Sequence, residues 1–526
     1  MAETDVIIVG SGVAAALLAC ELREAHVAVH ILEAGGYYHR NEAIKRYRHA
    51  WNRNFQAPYP DWRWLQTPHA DEAAHYYSDK GNMKYAPLFL KGVGGSTWLW
   101  TGMTPRFVPN DFRLRSLYGT GQDWPLSYDD LEPYYLQAEQ RMGVAGDSDD
   151  DHGSPRSGDY PMPAIPMSYG EQWMATQLHG HGVRVASSPA ARNSRYYQGR
   201  QACCGSNTCT PICPSSARYD AANDVARAIR LGAKLTDRAT VYRLENDGEK
   251  IVAVHYKRPD GSSIRVAAKR VVLACNSVEI PRLLLMSANK DYPSGLANRS
   301  GQVGRNLMDH VFMLYHFTTP EAIYSGRGPQ AISHILHGRD GAFRKQYAAA
   351  KVFIGNDPNV LQQSIELLKN SENWHNPVAV LRQRMKHTGM IGAELETLPH
   401  SGNRICLDFA KRDPLGLPLP RVDYQLSAYT LQAKKHWQDY MLQLITWMKG
   451  TNPVLTSSLS AHHMVGTTRM GKSADTSVVD MYGRSHDHPN LYISSSSVFP
   501  SIGTANPTLT IAALTLRLAK HLIHHV

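Results

Sequence analysis

Four of the seven cysteines fall within eleven residues, Cys203, Cys204, Cys209 and Cys213, in the stretch Cys-Cys-Gly-Ser-Asn-Thr-Cys-Thr-Pro-Ile-Cys-Pro. Thiolates spaced over two tight turns can converge on one soft metal centre. Three readings compete. A structural zinc knuckle takes four ligands, but adjacent Cys203 and Cys204 rarely point at the same ion. A disulfide needs an oxidising compartment, and nothing in the chain announces one. An iron–sulfur cluster suits three cysteines with a proline after the last, as in Cys213-Pro214. Cys20, Cys275 and Cys406 lie on strand- or helix-like apolar runs and read as small buried hydrophobes.

A second constellation sits at the start of the chain. Val6–Val9 reads as a short buried parallel strand, followed at once by Gly10-Ser11-Gly12-Val13-Ala14-Ala15 and by helical apolar spacing over Ala15–Arg23. A further apolar run, Val27–Leu32, ends in Glu33. Gly10 makes the tight turn, Gly12 lets the backbone approach a pyrophosphate, and Ala15 lets helix pack on strand. The helix N-terminus faces the phosphates, and Glu33, about twenty residues on, accepts from a ribose hydroxyl. A dinucleotide site and a thiolate cluster on one chain point to electrons taken from a substrate and passed on through a metal centre.

The C-terminal part carries His462-His463-Met464-Val465-Gly466-Thr467-Thr468-Arg469-Met470-Gly471 and Val498-Phe499-Pro500-Ser501-Ile502-Gly503-Thr504-Ala505-Asn506-Pro507-Thr508. These segments resemble the signatures of the glucose–methanol–choline (GMC) oxidoreductases, FAD enzymes that oxidise alcohols. The resemblance extends through Lys91–Trp98, Trp124–Tyr135, Leu273–Leu284 and Val303–His310. It implies flavin contacts from Gly94, Gly95, Ser96, Val241, Ser497, Asn506, Pro507 and Thr508. The stretch from Ala191 through the cysteines is similar to one branch, the catalytic subunits of bacterial FAD-dependent sugar dehydrogenases. That branch implies a 3Fe–4S cluster held by Cys203, Cys209 and Cys213, with Cys204 a packed neighbour. It also implies a small subunit carrying the export signal and a multihaem cytochrome c acceptor on the periplasmic face of the inner membrane.

Oxidising a secondary or hemiacetal alcohol needs a base for the hydroxyl proton and an acceptor for the hydride, the latter being flavin N5. The resemblance assigns the base to His463, three residues before Gly466. Its neighbour His462 is the rival; on a strand the two would face opposite sides, so only one should reach the substrate. Asn506 takes the second family position, where an amide holds and polarises the substrate oxygen but is no base. Two positions depart from the family. Serines fill Ser494–Ser497 where many members have Asp, and Leu99 follows Trp98 where the sugar branch often has a histidine. Covalent flavin links in the family use a nearby histidine, so FAD is expected to be non-covalent. The preferred substrate class is a sugar or polyol. A glycoside 3-dehydrogenase is the alternative, and a non-catalytic redox-sensing flavoprotein the minor one.

The expected fold is α/β: a Rossmann-like FAD-binding domain with a small β-meander, plus an α+β substrate domain with an antiparallel sheet roofed by helices. The first is expected from 1–45, 85–115, 190–315 and 455–526, including the cysteine loop. The second is expected from 46–84, 116–189 and 316–454. Strands are read over Thr240–Leu244, Ile251–Tyr256, Ser263–Val272 and Arg421–Leu426, and a helix over Leu431–Met448, whose Trp437 and Trp447 read as core. Trp51, Tyr59, Trp62 and Trp64 could stack on a sugar or be buried.

Composition narrows the rest. Net charge is +10 from 56 basic and 46 acidic residues, yet Lys and Arg are scattered with no run of five or six, which argues against nucleic-acid binding. No apolar run reaches the ~18–20 residues of a membrane-spanning helix. The N-terminus runs directly into Val6–Val9 without room for a signal peptide, so export is expected to depend on the partner subunit.

Overall fold

The computed structural model describes residues 4–49, 76–79, 85–210, 212–330, 332–369, 376–457 and 462–525. Val6–Val9 forms the central strand of a five-stranded, all-parallel sheet. Its order is Leu491–Ile493, Arg270–Leu273, Val6–Val9, Val29–Leu32 and Lys234–Thr236. A parallel sheet is covered on both faces, which is why these strands read as unbroken apolar runs. Helix Val13–Glu24 follows the glycine turn, and helices Ala221–Arg230 and Thr508–Ile523 pack against it.

The meander is present as strands Thr240–Asp247, Lys250–Lys257 and Ser263–Ala267. The single strand expected over Ser263–Val272 is two. Ser263–Ala267 alternates toward solvent and joins the meander, whereas Arg270–Leu273, with three buried apolar residues in succession, joins the parallel sheet. Alternation signals one wetted face and continuity signals none, and that difference marks the break at 268–269.

A second layer system holds a six-stranded antiparallel sheet, ordered Thr451–Ser457, Val311–Thr318, Thr388–Leu395, Ala350–Gly355, Ser333–Ile335 and Val185–Ser187. Helix Ala428–Trp447 packs on it, with Trp437 buried and its indole N–H donating to the Ala348 carbonyl at 2.9 Å. Strands Val311–Thr318 and Thr451–Ser457 each belong to this sheet along their whole length, across positions 315/316 and 454/455. The strand expected over Arg421–Leu426 lies at Pro418–Asp423, paired with Arg404–Arg412. Its prolines are tolerated because the strand on its other side, Ser78–Asp79, pairs only with Arg421 and Val422. Residues beyond Asp423 lead into Ser427, whose hydroxyl caps helix Ala428–Trp447. Trp51, Tyr59, Trp62 and Trp64 lie outside the described residues.

Candidate active site

A cavity of about 620 Å³ runs between the two sheets. At one end it is lined by Gly10, Gly12, Glu33, Gly95, Ser96 and Val241. Gly10 has a φ of +105°, and a Cβ there would lie 2.9 Å from the Ala274 carbonyl oxygen. Around Gly12 a Cβ would meet nothing within 4 Å, so this turn is closed behind and open toward the cavity. Gly12 caps helix Val13–Glu24 without a side-chain hydrogen bond, leaving the first-turn N–H groups available to an anion. Glu33 accepts from the Ser11 hydroxyl at 2.6 Å and the Gly35 N–H at 2.8 Å, which holds its carboxyl at the wall. Burial raises the Glu33 pKa, and these two donors oppose that rise. The residues fit a dinucleotide. Of the remaining flavin candidates, Asn506, Pro507 and Thr508 line the cavity. Ala15, Gly94 and Ser497 do not. Ala15 is packed in the core, Gly94 caps the short helix Gly95–Trp98, and Ser497 is buried with its hydroxyl against Thr468 at 2.7 Å.

Antiparallel pairing builds the reactive end. Met308 pairs with Val465, each N–H donating to the other's carbonyl. That register sets His310 beside His463, two residues out on either side. Their Nδ1 atoms are 2.9 Å apart, and His310 Nε2 lies 2.9 Å from the Gly503 carbonyl oxygen. The His463 backbone N–H donates to Asp309 at 3.0 Å. His463 Nε2 lies 3.2 Å from Asn506 Nδ2, so the two predicted catalytic residues are brought together. Burial pulls the His463 pKa well below the usual imidazole value; Glu394 opposes this, while His310, His462 and Lys351 add to it. The ring is neutral, as a proton acceptor must be. The expected separation of His462 and His463 onto opposite strand faces does not occur. The segment is not a strand, and both rings line the cavity, but the contacts to His310 and Asn506 belong to His463.

Two residues that motif reading missed complete this end. Lys351 and Glu394 are direct cross-strand partners in the antiparallel sheet, and their Nζ and Oε2 atoms are 2.6 Å apart. The Lys351 ammonium also donates to Asn506 Oδ1. Both are buried, and both line the cavity. Burial pushes the Glu394 carboxyl up, but the Lys351 ammonium outweighs it, and the pKa lies at about 2. Removing one member alone would strand a buried charge, at a cost of about 3–5 kcal/mol. The signal was legible in retrospect: Ala-Lys-Val-Phe-Ile-Gly and Gly-Ala-Glu-Leu each place one charge in an otherwise apolar strand.

The cysteine loop borders the same cavity, which Thr210 lines. Cys209 is buried, Cys203 and Cys213 are half-buried, and Cys204 is exposed. Cys204 is therefore not the packed neighbour expected; Gly205 beyond it adopts a φ of +64° and turns the chain at that point. Arg192 and Arg218, both buried, hold the loop. Arg192 donates to Cys209 Sγ at 3.4 Å. Arg218 donates to the carbonyls of Cys209 and Trp100, and to those of Thr97 at 3.0 Å and Trp98 at 3.2 Å, fastening the cysteines to the loop after Gly94-Gly95. Burial pushes the Cys213 thiol up, but the Arg218 N–H and guanidinium and Ser215 outweigh it and leave it below its usual value. Burial raises Cys203. Zinc–sulfur bonds of about 2.3 Å in a tetrahedron put sulfurs about 3.8 Å apart. Among the described residues the His, Cys, Asp or Glu group within 4.8 Å is His310, Glu394 and His463, so the thiols do not converge on a single ion. Three thiols on one loop with a buried guanidinium donor on Cys209 are the donor chemistry an iron–sulfur cluster takes.

Models of the GMC oxidoreductase family match residues 171–312 and 399–515. The chain is 36% identical to the fructose dehydrogenase large subunit of Gluconobacter japonicus, covering 99% of this chain and 98% of that one. It is 27% identical to the 2-methyl-1,2-propanediol dehydrogenase of Mycolicibacterium austroafricanum over 99% and 95% of the two chains. Pyridoxine 4-oxidase from Mesorbium loti shares the fold at a TM-score of 0.67 and 18% identity, with 100% of both chains covered. The chain belongs to the GMC oxidoreductases, FAD-dependent enzymes that oxidise CH–OH donors, and within them lies close to a bacterial sugar dehydrogenase.

Proposed function

We propose that this chain is the catalytic subunit of a dehydrogenase that oxidises a hydroxyl of a sugar or polyol. The carrying observation is the convergence of His463 Nε2 and Asn506 Nδ2, 3.2 Å apart, in the cavity that also receives the Gly10–Gly12 turn. His463 takes the hydroxyl proton, and Asn506 holds the oxygen as it gains charge. Bound FAD, held non-covalently by Gly10, Gly12, Glu33, Gly95 and Ser96, supplies the hydride acceptor. A polyhydroxylated substrate suits the charged wall of Lys351 and Glu394, and the 36% identity to a fructose dehydrogenase large subunit supports a sugar. The region 1–45, 85–115, 190–310 and 462–526 serves the flavin, and the remainder, with strands Val311–Thr318 and Thr451–Ser457 in the antiparallel sheet, the substrate.

Cys203, Cys209 and Cys213 would hold a 3Fe–4S cluster, which supplies one-electron transfer to an external acceptor. The natural acceptor in this reading is a multihaem cytochrome c, reached with a small export-bearing subunit on the periplasmic face of the inner membrane. No helix among the described residues is long and apolar enough to cross a membrane. The test compares acceptors. Purified enzyme with saturating sugar should reduce artificial dyes rapidly and release little peroxide in air. Peroxide at the rate of dye reduction would refute a wired dehydrogenase. Product analysis should find a lactone or a keto sugar from the free sugar; a 3-keto glycoside from glycosides alone would refute the substrate assignment.

A further inference from the structure

Two groups at opposite ends of one hydrogen-bonded chain can bond in only one sense. The Gly503 carbonyl only accepts, and the Lys351 ammonium only donates. From Gly503 inward, His310 must carry its proton on Nε2, and a neutral ring then leaves Nδ1 as an acceptor. His463, whose Nδ1 is 2.9 Å away, must hold its proton on Nδ1 and keep the lone pair on Nε2. From Lys351 inward, Asn506 must turn Oδ1 to the ammonium, which leaves Nδ2 facing His463 Nε2 at 3.2 Å. An amide N–H there demands an acceptor. The two walks share no contact and give the same tautomer.

We infer that His310 and Lys351 are positioning residues for the oxidation, locking the ring of His463 and the amide of Asn506 so that a lone pair and an N–H meet at one point of the cavity. A hydroxyl that displaces this contact donates to Nε2 and accepts from Nδ2. The opposite tautomer would present an N–H to the substrate and leave no base. Glu394 keeps the lysine charged in its buried position, against burial, which lowers the Lys351 pKa. Substrate and cofactor need not touch either positioning residue for this to act. The inference rests on reading His463 as the base.

The test is anaerobic flavin reduction by the holoenzyme under single-turnover conditions. His310→Leu should slow reduction about a hundredfold, as wrong-tautomer and lost-base variants do. FAD content and the substrate concentration for half-saturation should change little. His310→Asn, whose carbonyl can accept from His463 Nδ1–H, should recover most of the rate. Lys351→Leu with Glu394→Leu should slow reduction, whereas Lys351→Gln with Glu394→Gln, which keeps a neutral donor on Asn506, should recover it. A His310→Leu enzyme at wild-type rate, or an Asn variant no better than Leu, overturns the inference. If His310→Leu does not hold FAD, ring-nitrogen NMR of histidine-labelled wild type, with His463→Ala for assignment, decides. A proton on His463 Nδ1 supports the inference, and one on Nε2 overturns it. His463→Ala separates the two readings. Full-speed reduction in that variant defeats the base assignment itself. A dead His463→Ala beside a normal His310→Leu defeats only the positioning role.

Discussion

The two ends of this molecule's chemistry are built in opposite ways. The hydride end is assembled from residues 310, 351, 394, 463, 503 and 506, drawn from two strands of the antiparallel sheet and from separate loops, and joined by an unbroken run of hydrogen bonds. The cysteine end is a single loop, with three thiols within eleven residues, fastened by buried arginines to backbone carbonyls. Proton transfer demands angular precision at one atom, so many elements must agree on its place. Under the proposed function, thiolates that would ligate a multi-iron cluster need proximity and charge compensation, which one loop can supply. Arg218, which bonds both the cysteine loop and residues 97–100 beside the cavity, joins the two.

If that division is right, damage at one end should spare the other. His463→Ala should slow flavin reduction by about 10²–10⁴-fold, with the visible and spin-resonance signals of the proposed cluster unchanged. Cys213→Ser should do the reverse: substrate still bleaches the flavin, but turnover with one-electron acceptors collapses as the iron signal is lost. Loss of flavin bleaching in that variant would show that the two ends are not separable. A smaller effect tests the cofactor turn. Gly10→Ala puts a Cβ 2.9 Å from the Ala274 carbonyl oxygen at a φ of +105°, so it should destabilise the fold by about 1–3 kcal/mol and weaken FAD retention. Calorimetry and bound-flavin absorbance would check it.

A further effect is global and lies in pH. Burial holds the rings of His310, His334 and His463 below the usual imidazole value, and those of His30 and His152 at about 4. Between that value and about 6.5 the unfolded chain binds protons that the folded chain refuses, so stability rises with pH across the window. The melting temperature should be flat above pH ~6.5 and fall progressively toward pH ~4. A melting temperature indifferent to this range would mean these rings are not held neutral. The rate of flavin reduction should likewise keep its His463-dependent value below the ordinary imidazole range.

How much of this was legible from sequence follows the same division. The cysteine loop and the Gly10–Gly12 turn announce themselves because their chemistry is local: ligands and turn residues sit at fixed offsets. His463 and Asn506 were found by family resemblance, and Val6–Val9 and helix Val13–Glu24 by apolar spacing. Lys351 and Glu394 were missed because their partnership is a strand register between residues 43 positions apart, which no local pattern encodes. His310 lay inside a recognised block, but its role appears only when Met308 pairs with Val465. The misplaced expectations have similar causes. The strand read over Ser263–Val272 joins two sheets, and the side to which His462 and His463 turn depends on a segment that is not a strand.

The most direct measurement is anaerobic mixing of the FAD-loaded wild-type chain with a panel of sugars, polyols, sugar acids and glycosides, followed by flavin absorbance. Rapid bleaching by a sugar or polyol, abolished in His463→Ala and retained in Cys213→Ser, is the predicted result. A flavin that stays oxidised with every sugar and polyol, or that bleaches equally well without His463, would contradict it.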